Sequence, residues 1–178
     1  SNITIMFGSI EHPRSWATHL LVTRDLQRET GGFTEFVGLP FVHMASPIYL
    51  QRRARRGPTF REVVLMHAVA RIAYRDCLEH IQGSWVKLGW KGIRQLLCAG
   101  VDDLGGTLMD ENISRAAGAE HGTGAGPREF RAVVYIDRQC PQVTLNDPGA
   151  IDASTWTFSF TGTDRTPNRV QMWLNPAV

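Results

Sequence analysis

VDDLGGTLMDENISRAAGAEH, residues 101–121, is the stretch on which the fold turns. Residues 101–104 read as a short buried strand. Gly105, Gly106 and Thr107 make a turn, and Asp110, Glu111 and Asn112 begin a polar helix that Gly118 ends. A strand that runs through glycines into a helix start exposes several backbone N–H groups in one place, which suits an anion or polar ligand. An ordinary strand-to-helix turn, with Asp110 or Thr107 as N-cap, accounts for the same residues, and shape alone favours it.

Outward from this stretch the pattern repeats. Residues 3–7 form an apolar run closed by Gly8, and His12-Pro13 opens a helix with Trp16, Leu20 and Leu21 on its apolar face. Gly31 and Gly32 stop that helix, and residues 33–39 are the next strand, ended by Pro40. Thr59 and Glu62 have capping-box spacing, and the helix they open is expected to reach about Asp76, with Leu65, Val69 and Ile72 facing a core. Residues 81–88 read as a strand carrying Gln82, Ser84, Trp85 and Lys87, and residues 90–98 as a short helix before Gly100. Strands alternating with amphipathic helices predict an α/β fold with a parallel sheet. In a (β/α) barrel the ligand groups stand at the C-terminal strand ends, here Gly8, His43, Trp85, Lys87 and Thr107. Four βα units make only half of such a barrel.

The segment 41–58 is long for a connection, and it holds His43, Met44, Tyr49 and the cluster Arg52, Arg53, Arg55 and Arg56. A lid whose arginines meet phosphate or carboxylate is one reading. A solvated basic loop is the other, and for the arginines the better one. His67, inside a helix, reads as a packing or surface residue.

Composition bounds the function. The 178 residues suit one ordinary domain, and 43% hydrophobic residues are enough for a core. A net charge of +2 gives no support to a nucleic-acid partner. No apolar run approaches membrane-spanning length, and no signal peptide opens the chain, so a cytoplasmic protein is expected. Cys77, Cys98 and Cys140 are too far apart for a CxxC-type metal site and show no disulfide framework. The start at Ser1 suggests a piece of a larger protein.

Four stretches carry a family resemblance, in order: TIMFGSIEHPRSWATHLLVTRDLQ (4–27), ETGGFTEFVGLPFVHMASPIYLQRRARRGPTFREVVLMHAVAR (29–71), IQGSWVKLGWKG (81–92) and DLGGTLMDENISRAAGAEHG (103–122). Together they resemble the FO synthases, enzymes of deazaflavin biosynthesis. The likeness is to the half that is a 5-amino-6-(D-ribitylamino)uracil–L-tyrosine 4-hydroxyphenyl transferase of the radical S-adenosylmethionine superfamily. The resemblance implies that residues 1–132 are the later half of a radical-SAM TIM-type barrel. Residues 133–178 are then an atypical tail with two candidate strands, 156–161 and 170–174, either frameshifted or a genuine β extension.

The resemblance also implies a chemistry. A 4Fe-4S cluster reduces S-adenosylmethionine, the resulting radical takes a hydrogen from L-tyrosine, and the Cα–Cβ bond breaks. The 4-hydroxybenzyl fragment then adds to 5-amino-6-(D-ribitylamino)uracil, and a second FO synthase half closes the ring. The family's CxxxCxxC motif is absent from this text, so the chain alone is expected neither to hold the cluster nor to turn over. Substrate-binding roles fall on His43, Tyr49, Trp85, Lys87, Gly105, Gly106, Thr107, Glu111 and Asn112, with the two glycines as backbone donors. No residue is assigned as catalytic or as a metal ligand. The implied partners are the two substrates and the other FO synthase half, with no nucleic acid and no membrane. Alternatives are a radical-SAM cyclase of the futalosine menaquinone pathway, a non-catalytic remnant, and, from the residues alone, an anion-binding α/β half-barrel.

Overall fold

The computed structural model describes residues 1–106, 112–119, 121, 124–136, 155–159 and 169–173. They fall into two compact units, Ser1–Asp137 and Arg138–Val178. The first begins with β1 (Asn2–Phe7), α1 (Pro13–Thr30), β2 (Glu35–Pro40), a one-turn α2 (Pro47–Leu50) and α3 (Phe60–Ala73). It continues with β3 (His80–Gly83), α4 (Trp85–Leu97), α5 (Asn112–Ala116) and α6 (Pro127–Ile136). The second holds β4 (Thr155–Ser159) and β5 (Arg169–Trp173), which pair antiparallel near the positions the sequence suggests.

The local signals act as their chemistry predicts. His12 caps α1 by accepting from the Arg14 N–H, Pro13 takes the first helical position, and Gly31 ends the helix at φ +60°. Thr59 and Glu62 form both hydrogen bonds of the capping box.

β1, β2 and β3 form a parallel sheet in the order β1-β2-β3. In register, Ile3, Phe36 and Ile81 make one row, and Ile5, Gly38 and Gly83 the next. These rows face the helices. A Cβ on Gly38 would lie 3.0 Å from His67 Nε2 of α3, and one on Gly83 would lie 2.9 Å from Ile93 of α4. Ile3, Phe7, Phe36 and Ile81 are buried there with Trp16, Leu20, Val63, Met66, Tyr74, Ile93 and Leu96. Each such side chain contributes about 1.5–3 kcal/mol by leaving water. His67 is fully buried in this layer, as a packing residue. Its Nδ1–H donates to the Val63 carbonyl at 2.8 Å, and burial holds its pKa below the ordinary value.

The other sheet face carries Asn2, Thr4 and Met6, then Glu35, Val37 and Leu39, then His80 and Gln82. Asn2, Thr4, Met6 and His80 of this face are exposed and Glu35, Leu39 and Gln82 half-buried, while Val37 on the central strand is 8% exposed. Parallel sheets are ordinarily covered on both faces, and here the cover of the second face is thinnest over β1.

Four expectations need correction. The third strand stops at Gly83, not Leu88, and Trp85 and Lys87 stand in the first turn of α4. A helix start at Ser84 lets Trp85 and Val86 turn into the core together, which an extended strand would forbid. The fourth strand, 101–104, shrinks to one parallel bridge between Gln82 and Asp103, although Val101 and Leu104 are buried as expected. α3 buries Val63, Met66, His67 and Ala70 because its sheet-facing side is the one opposite Gly38; of the expected stripe Val69 packs against the core at its edge, and Leu65 and Ile72 do not. Cys98 is disulfide-bonded, where the sequence shows no disulfide framework, while Cys77 is free.

At the N-terminal strand ends Arg71 is a staple. Its guanidinium donates to the carbonyls of Gly100 at 2.7 Å and Glu79 at 2.6 Å and meets Asp102 at 2.7 Å. At the C-terminal end of β1 the segment 41–58 crosses back over the sheet. Pro58 lies against Gly8, and the Arg55 N–H donates to the Ser9 carbonyl at 3.1 Å. A Cβ on Gly8 would stand 2.3 Å from Pro58 Cδ, and its φ is +91°. Gly8→Ala should therefore destabilise the chain by about 2–4 kcal/mol in urea unfolding. Gly31→Ala, where nothing lies within 4 Å, should cost only about 1 kcal/mol. Equal costs for the two would refute the close approach.

Candidate functional site

The C-terminal ends of β2 and β3 and the turn after the Asp103 bridge open into one cleft of about 320 Å³. Its walls are Leu39, Gln82, Ser84, Trp85, Val86, Lys87, Gly105, Gly106, Ile113 and Ser114. This is the end of a parallel sheet where ligands bind. A second hollow, at Phe33, Thr34 and Leu78 to His80, lies at the opposite strand ends beside the Arg71 staple.

Each wall is set by its neighbours. α4 breaks at Gly89 (φ +63°), which separates its first turn, carrying Trp85 to Leu88, from the rest of the helix. Trp85 is 4% exposed. Its ring stacks on Trp90 at 4.8 Å, and Phe130 of α6 meets both rings edge-on. With its face so occupied, Trp85 offers the cleft an edge and a hydrogen bond: its Nε1–H donates to the Gly106 carbonyl at 3.0 Å. Lys87 Nζ donates to Ser114 Oγ at 2.8 Å, which ties α4 to α5 across the cleft. The Gly105 N–H donates to Asp103 Oδ1 at 2.6 Å, so this expected ligand donor already has a partner. Gln82 Nε2 donates to Glu35 Oε2 at 2.9 Å.

Of the residues singled out from the sequence, the cleft brings together Trp85, Lys87, Gly105 and Gly106. His43 and Tyr49 form an edge-to-face pair at 4.7 Å on the segment 41–58, outside the cleft lining. That segment reaches α5 through the Ala45 N–H, which donates to the Ala117 carbonyl at 3.0 Å. Asn112 is exposed at the first position of α5, while Ile113 and Ser114 of the same turn line the cleft. Thr107 and Glu111 lie outside the described residues. The sequence argument selects neither Gln82 nor Ser114. Period-2 alternation was the available signal for Gln82, a polar residue between Ile81 and Gly83. Ser114 had none, because its role follows from where α5 packs.

The arginine cluster is exposed. Arg55 pairs with Glu62 at 2.8 Å and lies 5.7 Å from the Trp16 ring centre. At the end of β1 an anion site is already filled. The Glu11 carboxylate accepts from the N–H groups of Gly8, Ser9 and Ile10 and from Trp16 Nε1–H at 2.8 Å. Burial pushes this carboxyl up, but the hydrogen bonds outweigh it and hold the pKa below the ordinary 4.5. A depressed folded-state pKa stabilises the fold above the unfolded value, and that contribution is lost as pH falls through the folded one. Wild-type chain should thus lose urea stability as pH falls below about 4.5, and Glu11→Gln should lose measurably less over the same interval. Parallel losses would remove Glu11 from this role.

Comparison with known proteins follows the same region. Residues 30–127 match the family described as the CofH/MqnC C-terminal region. An FO synthase of Mycobacterium tuberculosis is 52% identical over 133 residues, 75% of this chain and 16% of that protein. The 5-amino-6-(D-ribitylamino)uracil–L-tyrosine 4-hydroxyphenyl transferase of Methanopyrus kandleri is 50% identical over 147 residues, 82% of this chain and 40% of that protein. The transferase of Methanocaldococcus jannaschii is 45% identical over 131 residues, covering 36% of its length. The chain therefore spans well under half of each of these curated relatives. A match covering 82% of this chain necessarily runs past Ala132.

Proposed function

The chain belongs to the CofH/MqnC C-terminal region family, and from that premise we propose that it is the substrate-holding half of a radical S-adenosylmethionine barrel. The reaction we assign to the complete enzyme joins the 4-hydroxybenzyl group of L-tyrosine to 5-amino-6-(D-ribitylamino)uracil on the way to FO. The observation that carries this reading is the cleft at the C-terminal ends of a parallel sheet whose second face leaves Asn2, Thr4, Met6 and His80 exposed. A barrel lumen would present such a face, with Thr4, Glu35 and Gln82 among Met6, Val37 and Leu39. The remaining strands would come from the rest of the relatives' length. The names of the relatives support the tyrosine-using transferase over the futalosine-pathway cyclase.

Within this reading the cleft divides by chemistry. Leu39, Val86 and Ile113 offer apolar walls for a planar ring, and Gln82, Ser84, Lys87 and Ser114 offer polar groups that fix its orientation. Trp85 holds the Gly106 turn in place. His43, Tyr49 and Asn112 stand outside the cleft and, with Thr107 and Glu111, remain ligand contacts only as part of this proposal, once the other half is present. The protein's contribution is positioning, since the cofactor supplies the reactivity.

The donor set of this chain does not fit the cluster. Among the described residues no three His, Cys, Asp or Glu side chains come together, and free Cys77 lines the hollow at the opposite strand ends. The cluster's ligands would come from the other half of the complete enzyme. None of the described helices is long and apolar enough to cross a membrane.

A chimera tests the reading. Residues 1–137 replace the matching segment of the M. kandleri transferase, and tyrosine-dependent product is measured. The chimera should turn over. Lys87→Met should lower kcat/KM by about 10–100-fold, as loss of a hydrogen bond to a charged group does. A chimera that is folded and carries its cluster yet makes no product would overturn the proposal.

A further inference from the structure

Gln82 is held in an unusual way. It projects from β3 onto the sheet face opposite the helices, and its two ends have different surroundings. Nε2 donates to Glu35 Oε2 at 2.9 Å. A carboxylate only accepts, so this bond settles which end of the carboxamide is nitrogen. Oε1 then points along the sheet towards the turn, 3.0 Å from where a Cβ on Gly105 would stand. Gly105 has no Cβ and sits at φ +71°, so the turn passes close to the amide oxygen without covering it with a side chain. Gln82 also lines the cleft, with Leu39 and Val86 as apolar neighbours. A carboxamide fixed at one end, and kept open at the other by a glycine, is an oriented recognition group.

We infer that Gln82 is the specificity-determining residue of the cleft, its carboxamide reading the imide edge of a pyrimidinedione. Oε1 accepts the ring N3–H, with Nε2 beside it able to donate to an adjacent ring carbonyl. This deepens the function proposed above and rests on it. Of the two substrates named there, only the uracil carries an N–H flanked by coplanar carbonyls. That edge is also opposite the ribitylamino carbon, so its recognition leaves both ring substituents free. L-tyrosine has no such edge: its phenol is a single hydroxyl, and its ammonium and carboxylate stand on a tetrahedral carbon. Glu35 acts through Gln82, as a positioning residue.

The test is titration calorimetry of the chimera described above, called wild type where residues 1–137 are unchanged, with 5-amino-6-(D-ribitylamino)uracil and with its N3-methyl derivative. Wild type should prefer the parent compound by about tenfold, the worth of one buried hydrogen bond. Gln82→Leu should bind the two within about twofold of each other, with an unchanged urea midpoint. A purely structural role would weaken both compounds alike and keep the preference. Gly105→Ala is the second variant: it leaves Gln82 in place but crowds its oxygen, and it too should lose the preference. If wild type binds neither compound, the functional reading fails and the inference with it. If wild type binds both equally, or Gln82→Leu keeps the tenfold preference, only the assignment of Gln82 falls.

Discussion

Burial of one face of a three-stranded parallel sheet is the constraint on which the rest of the first unit depends. The row Ile3, Phe36 and Ile81 is flat and apolar, and the next row contains two glycines, Gly38 and Gly83. Those glycines let α3 and α4 approach until His67 and Ile93 fill the space above them. The helices thus pack on this face because it alone offers depth. The alternate residues are left facing the other way, and these include Glu35 and Gln82. Period-2 geometry links the two outcomes: whatever phase buries Ile81 also presents Gln82.

The two ends of the sheet are built for different purposes. At the N-terminal ends Arg71 makes contacts to Gly100, Glu79 and Asp102, and the Gln27 amide bonds the backbone of Phe33 and Cys77. These contacts are local and leave little unmet. At the C-terminal ends the chain turns on residues with unusual backbone, Gly8, Gly89 and Gly105, and polar side chains converge on a cleft. This is the division of labour known from βα folds, with stability at one end and ligand contact at the other.

What was legible in the sequence is what depends on neighbours along the chain. The Thr59–Glu62 capping box, the His12-Pro13 start and the Gly31 stop are decided within a turn of helix, and all formed. The resemblance was legible for the same reason, as long runs of text. The start of α4 was not, because Ile81 to Leu88 is apolar enough for strand or helix and only Ser84 marks the change. Nor was the buried face of α3, which carries two apolar stripes; the choice between them lies with Gly38, on another element. In the site, Trp85 and Lys87 were singled out by strand-end position and the family motif, but they stand on α4, and their partners Gly106 and Ser114 are 21 and 27 residues away. Gln82 was passed over because its meaning comes from Glu35 across the sheet.

The crossing segment 41–58 is anchored on both sides of Arg52 and Arg53. Before them the Ala45 N–H bonds to Ala117, and after them Arg55 bonds to Ser9 and Glu62. Between these anchors Arg52 and Arg53 are exposed, Arg52 with a positive φ of 59°. An arginine-specific protease therefore meets its recognition residues on a tethered arch. A cut there breaks the backbone without releasing either side, so the two fragments stay together as one particle and separate only on a denaturing gel.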